Sequence, residues 1–327
     1  MYNFRIDEMV KWIKERNIRN VCLQMPEGLK IHAQAISEEI EKNTGAATFI
    51  LADPCYGACD VASGFFDHVD GLIHIGHSEI PTLAQDSRIL YVEIEAALQD
   101  VKYPEGLLTR LGNRIGLITT VPYLGELDRI KKWLESNGKE VFIGRQGPRT
   151  LHPGQILGCD ISSACSILNL VDHFLYIGSG DFHPLAVAIE TKKEVVIYDP
   201  ASQEIRDLGD LSDRVMRQRH GAIVKASKGK KFLILVSLKP GQKRIALAME
   251  LKKLALKYGR SANIILMNEF NPDYLITFEA DAYVSTACPR IAIDDLLRYP
   301  KPILTPVEFE IALGNKSWDD YHLDFML

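Results

Sequence analysis

The sequence lacks long hydrophobic runs, and this limits where the protein can work. No apolar stretch in its 327 residues approaches the ~18 residues that a membrane-spanning helix needs. The N-terminal segment, MYNFRIDEMVKWIKERNI, reads as a charged amphipathic helix without the apolar centre of a signal peptide. We therefore expect a cytoplasmic protein that does not bind to a membrane.

A large excess of charge of either sign is also missing. Lys and Arg number 38 and Asp and Glu number 43, which gives a net charge of -5. One basic stretch, residues 214–231 (RVMRQRHGAIVKASKGKK), has seven Lys or Arg and no acid, but it lacks the interleaved aromatics of a nucleic-acid site. We interpret it as a solvated helix and interdomain linker, with docking of a protein substrate as the alternative, and we expect no nucleic-acid partner.

Cysteines are too few for a disulfide scaffold, which a reducing cytosol would not maintain in any case. A single cysteine is most often a small buried hydrophobe, and Cys22, inside the first predicted strand, is assigned to the core. The six cysteines are Cys22, Cys55, Cys59, Cys159, Cys165 and Cys288.

The chain contains a three-fold internal repeat. Each copy runs from an apolar strand through a Pro-containing loop to an amphipathic helix, a stopping Gly and a second strand. From loop Pro to stopping Gly the distance is 19, 16 and 19 residues, counted from 26 to 45, 122 to 138 and 240 to 259. Apolar residues three or four apart predict the buried helix faces, which are Leu29, Ala33, Ile36 and Ile40; Leu127, Ile130 and Leu134; and Leu247, Leu251, Leu254 and Tyr258.

A third strand follows in each copy, and the three align without gaps as VDGLIHIGH, VDHFLYIGS and ADAYVSTAC. A fourth short strand then closes each copy: RILYVEI, EVVIYDP and KPILTP. Continuous apolar strands that alternate with helices indicate parallel sheets covered on both faces. We predict an α/β protein of three similar small domains, residues 1–110, 111–225 and 226–327, each a parallel sheet flanked by helices, around a pseudo-three-fold centre.

Each predicted domain has a thiol near the carboxyl ends of its strands, where open parallel sheets bind their ligands. Three converging thiolates suit a zinc ion or an iron–sulfur cluster. Structural zinc sites usually draw on close CxxC pairs, which are absent, whereas a cluster with three cysteines leaves one iron open for a substrate. Spacing alone does not choose between Cys55 and Cys59 in the first domain, or between Cys159 and Cys165 in the second.

Three motifs in order, YGACD, LGCD and STACPRIAIDD, span nearly the whole chain. Together they resemble the archaeal diphthamide synthase family, the 2-(3-amino-3-carboxypropyl)histidine synthases that act on translation elongation factor 2. The resemblance implies a 4Fe–4S cluster held by the cysteines of these motifs, Cys59, Cys159 and Cys288. It makes Cys55 and Cys165 bystanders.

The resemblance also implies a non-classical radical reaction of S-adenosylmethionine. One electron from the cluster breaks the bond between the sulfur and the γ-carbon of the methionine part. This yields methylthioadenosine and a 3-amino-3-carboxypropyl radical, which adds to C2 of a histidine of elongation factor 2. Because the cofactors carry this chemistry, no acid–base or nucleophile constellation is expected in the protein. The family further implies an external electron donor and a homodimer.

Other residues near the strand ends are candidates for binding the aminocarboxypropyl head of S-adenosylmethionine. Gln242 lies in the LKPGQKR loop before a predicted helix, whose N-terminus suits a carboxylate, and Arg290 follows Cys288. The alternatives without a ligand are a surface loop for Gln242 and a domain-interface salt bridge for Arg290. We expect the nearby His74, His77 and His183 to be structural or solvated.

Two other functions compete with this interpretation. One is a quinolinate synthase, another three-repeat α/β enzyme with a three-cysteine cluster. The wording of YGACD and ACPRIAIDD favours the diphthamide family over it. The other is a non-enzymatic, zinc-stabilised scaffold that binds a translation factor.

Overall fold

In the computed structural model the chain divides into two units that alternate along the sequence. The structure describes residues 2–62, 64–96, 98 and 101–326. The first unit contains the described residues up to Leu157, then Ser162–Ser179 and Val196–Arg206. The second unit contains Gly158–Ile161, Gly180–Val195 and the described residues from Asp207 onward.

The helices and strands follow the order that the repeat predicts. The N-terminal elements are β1 (Tyr2–Asn3), α1 (Ile6–Glu15), β2 (Asn20–Gln24), α2 (Ala33–Thr44), β3 (Ala47–Ile50), β4 (Gly71–Ile75), β5 (Ile89–Val92) and β6 (Glu95–Ala96). The middle elements are α3 (Gly106–Arg110), β7 (Arg114–Thr119), α4 (Glu126–Ser136), β8 (Glu140–Ile143), α5 (Ser162–Cys165), β9 (His173–Ile177), α6 (Phe182–Thr191), β10 (Val195–Asp199), β11 (Glu204–Asp207) and α7 (Leu211–Ala226). The C-terminal elements are β12 (Lys231–Ser237), α8 (Ile245–Lys257), β13 (Ser261–Met267), β14 (Ala282–Ser285), α9 (Arg290–Ile293), β15 (Ile303–Leu304) and α10 (Pro306–Leu313).

Three sheets share one strand order. They run β3-β2-β4-β5, β8-β7-β9-β10-β11 and β13-β12-β14-β15, so each begins with the order second, first, third, fourth strand of its repeat. All neighbouring strands of the first and third sheets are parallel, and β7 is parallel to both β8 and β9. The α/β class and the repeated parallel sheets are confirmed. The domain limits at 110 and 225 and the pseudo-three-fold centre stay predictions.

The predicted helix faces are buried, with a small shift in the third copy. All predicted residues of the first two helices are buried, whereas the centre of the α8 face is Ala248, Leu251 and Ala255. The stopping glycines Gly45, Gly138 and Gly259 all have φ between 67° and 79°, the left-handed conformation that ends a helix.

Among the described residues, the α-helices that pack on the first sheet, α1 and α2, lie on one of its faces. Val21 and Leu23 of β2 pack with α1 and α2, while Cys22 faces the opposite side with Val61 and Leu72. That opposite side is covered by the irregular segment between β3 and β4, which carries Cys55 and Cys59. The cysteine loop is therefore itself the crossover connection of a parallel sheet, and it follows the carboxyl end of β3.

An aspartate at the start of each third strand ties the repeat together. Asp70 accepts hydrogen bonds from the backbone N–H groups of Arg19 and Asn20, at 2.9 and 2.8 Å. Asp281 accepts from the N–H groups of Lys230 and Lys231, at 2.7 and 2.9 Å. Asp172, the equivalent residue of the second copy, accepts from Arg114 N at 3.1 Å. An equivalent aspartate thus holds the start of the first strand of each repeat.

These hydrogen bonds predict an acid-dependent part of the stability. Backbone N–H groups lower the pKa of Asp70 and Asp281, so their contribution is present above the unfolded pKa near ~4 and is lost as pH falls through the folded pKa. Asp281→Asn should lower the free energy of unfolding at pH 7 by less than about 1 kcal/mol, because the carboxylate is exposed. In urea titrations this difference should shrink between pH 7 and pH 3. Asp67→Asn, at an exposed carboxylate, is the control, and a difference that grows towards pH 3 would contradict the assignment.

The basic stretch forms most of α7, as the predicted helix, and ends at the first residue of β12. Its Arg214, Arg217 and Lys225 are exposed, as expected. Arg219 is fully buried, where its guanidinium pairs with Glu308, and the interpretation as a solvated linker is wrong for this residue. The helix packs on α10 because Val215, Ala222, Ile223 and Ala226 give it an apolar face.

The part of the chain that the structure describes has no helix both long and apolar enough to cross a bilayer.

Candidate functional site

Cys59 lies on a short 3₁₀ helix, Ala58–Asp60, in the crossover loop between β3 and β4. Asp60 closes this turn, since its carboxylate accepts a hydrogen bond from Tyr56 N at 3.3 Å. Gln24, at the end of β2, donates from Nε2 to the backbone oxygen of Asp60 at 2.8 Å. The YGACD motif thus holds a half-buried thiol on a turn that is attached to the sheet.

Cys159 lies in the equivalent crossover of the second copy, between β8 and β9. A Cβ atom at the preceding Gly158 would stand 1.7 Å from a ring carbon of Phe182, so only glycine fits. The backbone oxygen of Cys159 accepts a hydrogen bond from Met326 N at 3.0 Å, and Asp160 is buried. The thiol itself is half-buried.

Cys288 follows β14 and is held by the loop before α8. The side-chain oxygen of Gln242 accepts a hydrogen bond from Cys288 N at 3.4 Å. Arg244 donates from Nε to the backbone oxygen of Thr286 at 2.6 Å and forms an ion pair with Asp324. The LKPGQKR loop therefore fixes the backbone that carries the third motif cysteine, which is also half-buried.

One aromatic ring contacts two of the cysteine motifs. Phe182, the first residue of α6, packs against the glycine of LGCD on one side. The guanidinium of Arg290, from the ACPR motif, lies 4.7 Å from the centroid of the same ring. Burial and the charge of Arg290 lower the pKa of the neighbouring His183 to about 4, so this imidazole is neutral at pH 7. The second unit thus brings LGCD and ACPR together through Phe182.

The structure tests the alternatives without a ligand for Gln242 and Arg290, the two candidates for binding the head of S-adenosylmethionine. Gln242 is only 5% exposed, so it is not part of a surface loop. Arg290 does form a salt bridge, but a local one: its Nε donates to Asp294 Oδ2 at 2.7 Å. Binding of a cofactor by either residue stays a prediction.

Of the three remaining thiols, one lies in the core and one on the surface. The third belongs to a group of metal-ligand side chains that the sequence did not reveal. Cys22 is buried in β2, as predicted, and burial raises its pKa to about 11. Cys165 is exposed at the end of α5. Cys55 is buried beside His74 and His77, where ligand atoms of all three lie within 4.8 Å of one another. The HIGH spacing was the available signal, but nothing in the sequence joined it to the cysteine loop.

Comparison with known proteins identifies the family. Residues 25–322 match the family described as putative diphthamide synthesis protein. The chain belongs to this family. The 2-(3-amino-3-carboxypropyl)histidine synthase of Pyrococcus horikoshii is 38% identical, over 98% of this chain and 92% of that relative. Subunit 1 of the human 2-(3-amino-3-carboxypropyl)histidine synthase is 32% identical, over 99% of this chain and 75% of that relative.

A solved structure has the same fold. The crystal structure of Dph2 from Pyrococcus horikoshii with a 4Fe–4S cluster superposes with a TM-score of 0.90 at 36% sequence identity. The match covers 100% of this chain and 95% of that one. These findings confirm the predicted family and the prediction of a transferase enzyme, and they decide against the quinolinate synthase alternative.

Proposed function

We propose that this enzyme transfers the 3-amino-3-carboxypropyl group of S-adenosylmethionine to C2 of a histidine of translation elongation factor 2. This is the first step of diphthamide synthesis. The observation that carries the proposal is the near-full-length similarity to a relative named for this product, 2-(3-amino-3-carboxypropyl)histidine. The three cysteine motifs, each present and in order, support it.

We propose Cys59, Cys159 and Cys288 as the ligands of a 4Fe–4S cluster. Their chemistry fits, because thiolates are the ligands of such clusters and three of them leave one iron open. Their surroundings fit as well, since each thiol is half-buried beyond a sheet strand and is held by a loop with its own hydrogen bonds or close packing. The relative of known structure contains such a cluster. When bound, the cluster supplies the electron that opens the bond between the sulfur and the γ-carbon.

Gln242 and Arg290 are proposed to orient the amino-acid head of S-adenosylmethionine. Arg290 offers a positive charge to the carboxylate, and its guanidinium lies over Phe182, the ring that packs against the glycine of LGCD. Gln242 is buried, and its amide lies against the backbone N–H of Cys288. Their role is positional: they decide which carbon of the sulfonium lies nearest the reactive centre.

The overall reaction needs no net oxidant. The bond between sulfur and the γ-carbon breaks, a bond between that carbon and imidazole C2 forms, and the C2 hydrogen leaves as a proton while the adduct gives back the one electron that opened the first bond. Methylthioadenosine is the second product. An external donor is needed only to bring the enzyme to its reduced, active state. We propose that the working form is a homodimer. Its binding partner is the protein substrate, elongation factor 2, rather than nucleic acid.

Anaerobic incubation of the enzyme with S-adenosylmethionine, dithionite and elongation factor 2 tests the reaction. We expect methylthioadenosine in solution and an aminocarboxypropyl adduct on one histidine of the factor, both read by mass spectrometry. A factor with that histidine changed to alanine is the control and should stay unmodified. Formation of 5′-deoxyadenosine as the main nucleoside would rule out the mechanism, and colourless protein after anaerobic purification would favour the zinc-stabilised scaffold.

A further inference from the structure

Three side chains of metal-ligand type lie close together in the first unit, and none of them is one of the three motif cysteines. The Sγ atom of Cys55 and one ring nitrogen each of His74 and His77 all lie within 4.8 Å of one another. Cys55 is 3% exposed, His74 is fully buried and His77 is half-buried. The two histidines come from the carboxyl end of β4, and the cysteine comes from the crossover loop.

The tautomer of His74 is fixed by Gln24. The side-chain nitrogen of Gln24 donates to Asp60 O at 2.8 Å, so its Oε1 is the acceptor. That oxygen accepts from Ala62 N at 3.2 Å and from His74 Nδ1 at 2.9 Å. His74 therefore carries its proton on Nδ1 and directs the lone pair of Nε2 towards His77. Metal-binding histidines are oriented in this way by a hydrogen bond from the other ring nitrogen.

The two facing imidazole nitrogens are spaced almost as two ligands of one metal ion would be. His74 Nε2 lies 3.0 Å from His77 Nδ1. Two ligand nitrogens on a tetrahedral ion with bonds near ~2.05 Å are about 3.3 Å apart, so a shift of a few tenths of an ångström suffices.

We propose that Cys55, His74 and His77 bind one divalent transition-metal ion, with Zn²⁺ as the favoured occupant. One thiolate and two imidazoles are a donor set that suits Zn²⁺, and three protein ligands leave a fourth position for water or another ligand. The mixed donor set separates this site from the all-thiolate set proposed for the cluster. It gives Cys55 a function of its own.

Co²⁺ is a suitable probe because its tetrahedral complexes absorb in the visible and its thiolate complexes absorb in the near ultraviolet. The titration uses the full chain with Cys59, Cys159 and Cys288 all changed to serine, under anaerobic reducing conditions. We expect one equivalent of Co²⁺ to bind with both absorption features, and Zn²⁺ to displace it. Absence of binding would overturn the proposal and leave the three side chains as a hydrogen-bonded group.

Two single variants in this background locate the ion. Cys55→Ala should lose the thiolate band, and both Cys55→Ala and His77→Ala should weaken Co²⁺ binding at least about tenfold. Cys165→Ala, at an exposed thiol, is the matched control and should bind as the parent does. His77 is only half-buried, so we expect His77→Ala to keep the fold. Far-ultraviolet circular dichroism checks this. Unchanged binding in His77→Ala and Cys55→Ala would place the ion elsewhere and overturn the proposal.

Discussion

Cys288→Ala is expected to lose the iron–sulfur cluster and to lower the rate of methylthioadenosine formation at least about 100-fold. Loss of a residue that merely orients a metal ligand costs up to about 100-fold, and loss of a ligand should cost no less. The same result is expected for Cys59→Ala and Cys159→Ala. The fold should survive, because each thiol is half-buried on a loop and its removal costs on the order of 1 kcal/mol beyond the lost cluster.

The measurements are iron and sulfide content after anaerobic purification and the rate of nucleoside release. Cys55→Ala and Cys165→Ala are matched controls that should keep the iron, since neither residue belongs to the proposed ligand set. Loss of iron in Cys55→Ala, with the fold intact, would mean that the first ligand was wrongly chosen. Full iron content in any of Cys59→Ala, Cys159→Ala and Cys288→Ala would contradict the ligand set directly.

Arg219→Ala is expected to be the most destabilising substitution on α7. Its guanidinium donates from Nε to Glu308 at 2.7 Å and also reaches the backbone oxygens of Ala292 and Ile303, at 2.6 and 2.7 Å. Truncation leaves a fully buried carboxylate and two carbonyls without these donors. Breaking a buried pair on one side costs about 3–5 kcal/mol, and we expect a loss of this size in the free energy of unfolding measured by urea denaturation.

Arg217→Ala makes the same substitution at an exposed position of the same helix, so it controls for helix propensity. It should change the free energy of unfolding by no more than about 0.5 kcal/mol. The double variant Arg219→Met, Glu308→Leu should be more stable than Arg219→Ala, because it removes both charges and refills the space. Equal effects of Arg217→Ala and Arg219→Ala would show that the pair does not stabilise the second unit.

The sequence determined the repeat because local chemistry repeats with it. Apolar strands, helix faces at spacings of three and four, and glycines that end helices are all short-range signals, and each repeat formed its predicted strands in a sheet of its own. The amino acids of the motifs determined the family for the same reason, since YGACD, LGCD and ACPR are each a short continuous stretch of sequence. The contact of Phe182 with two of these motifs joins residues far apart in sequence, and no spacing predicts it.

Only the tertiary structure decided the state of individual charged and ligand-type residues. Arg219 looks like any other cation of a basic stretch, and its burial depends on Glu308, 89 residues later. His74 and His77 reach Cys55 because a parallel crossover returns the cysteine loop to the carboxyl end of β4. Periodicity along the chain reports which face of a helix or strand is buried, and so it determined the three sheets and their helices. Which polar groups meet inside depends on crossovers and packing between distant elements, and these have no periodic signature in the sequence.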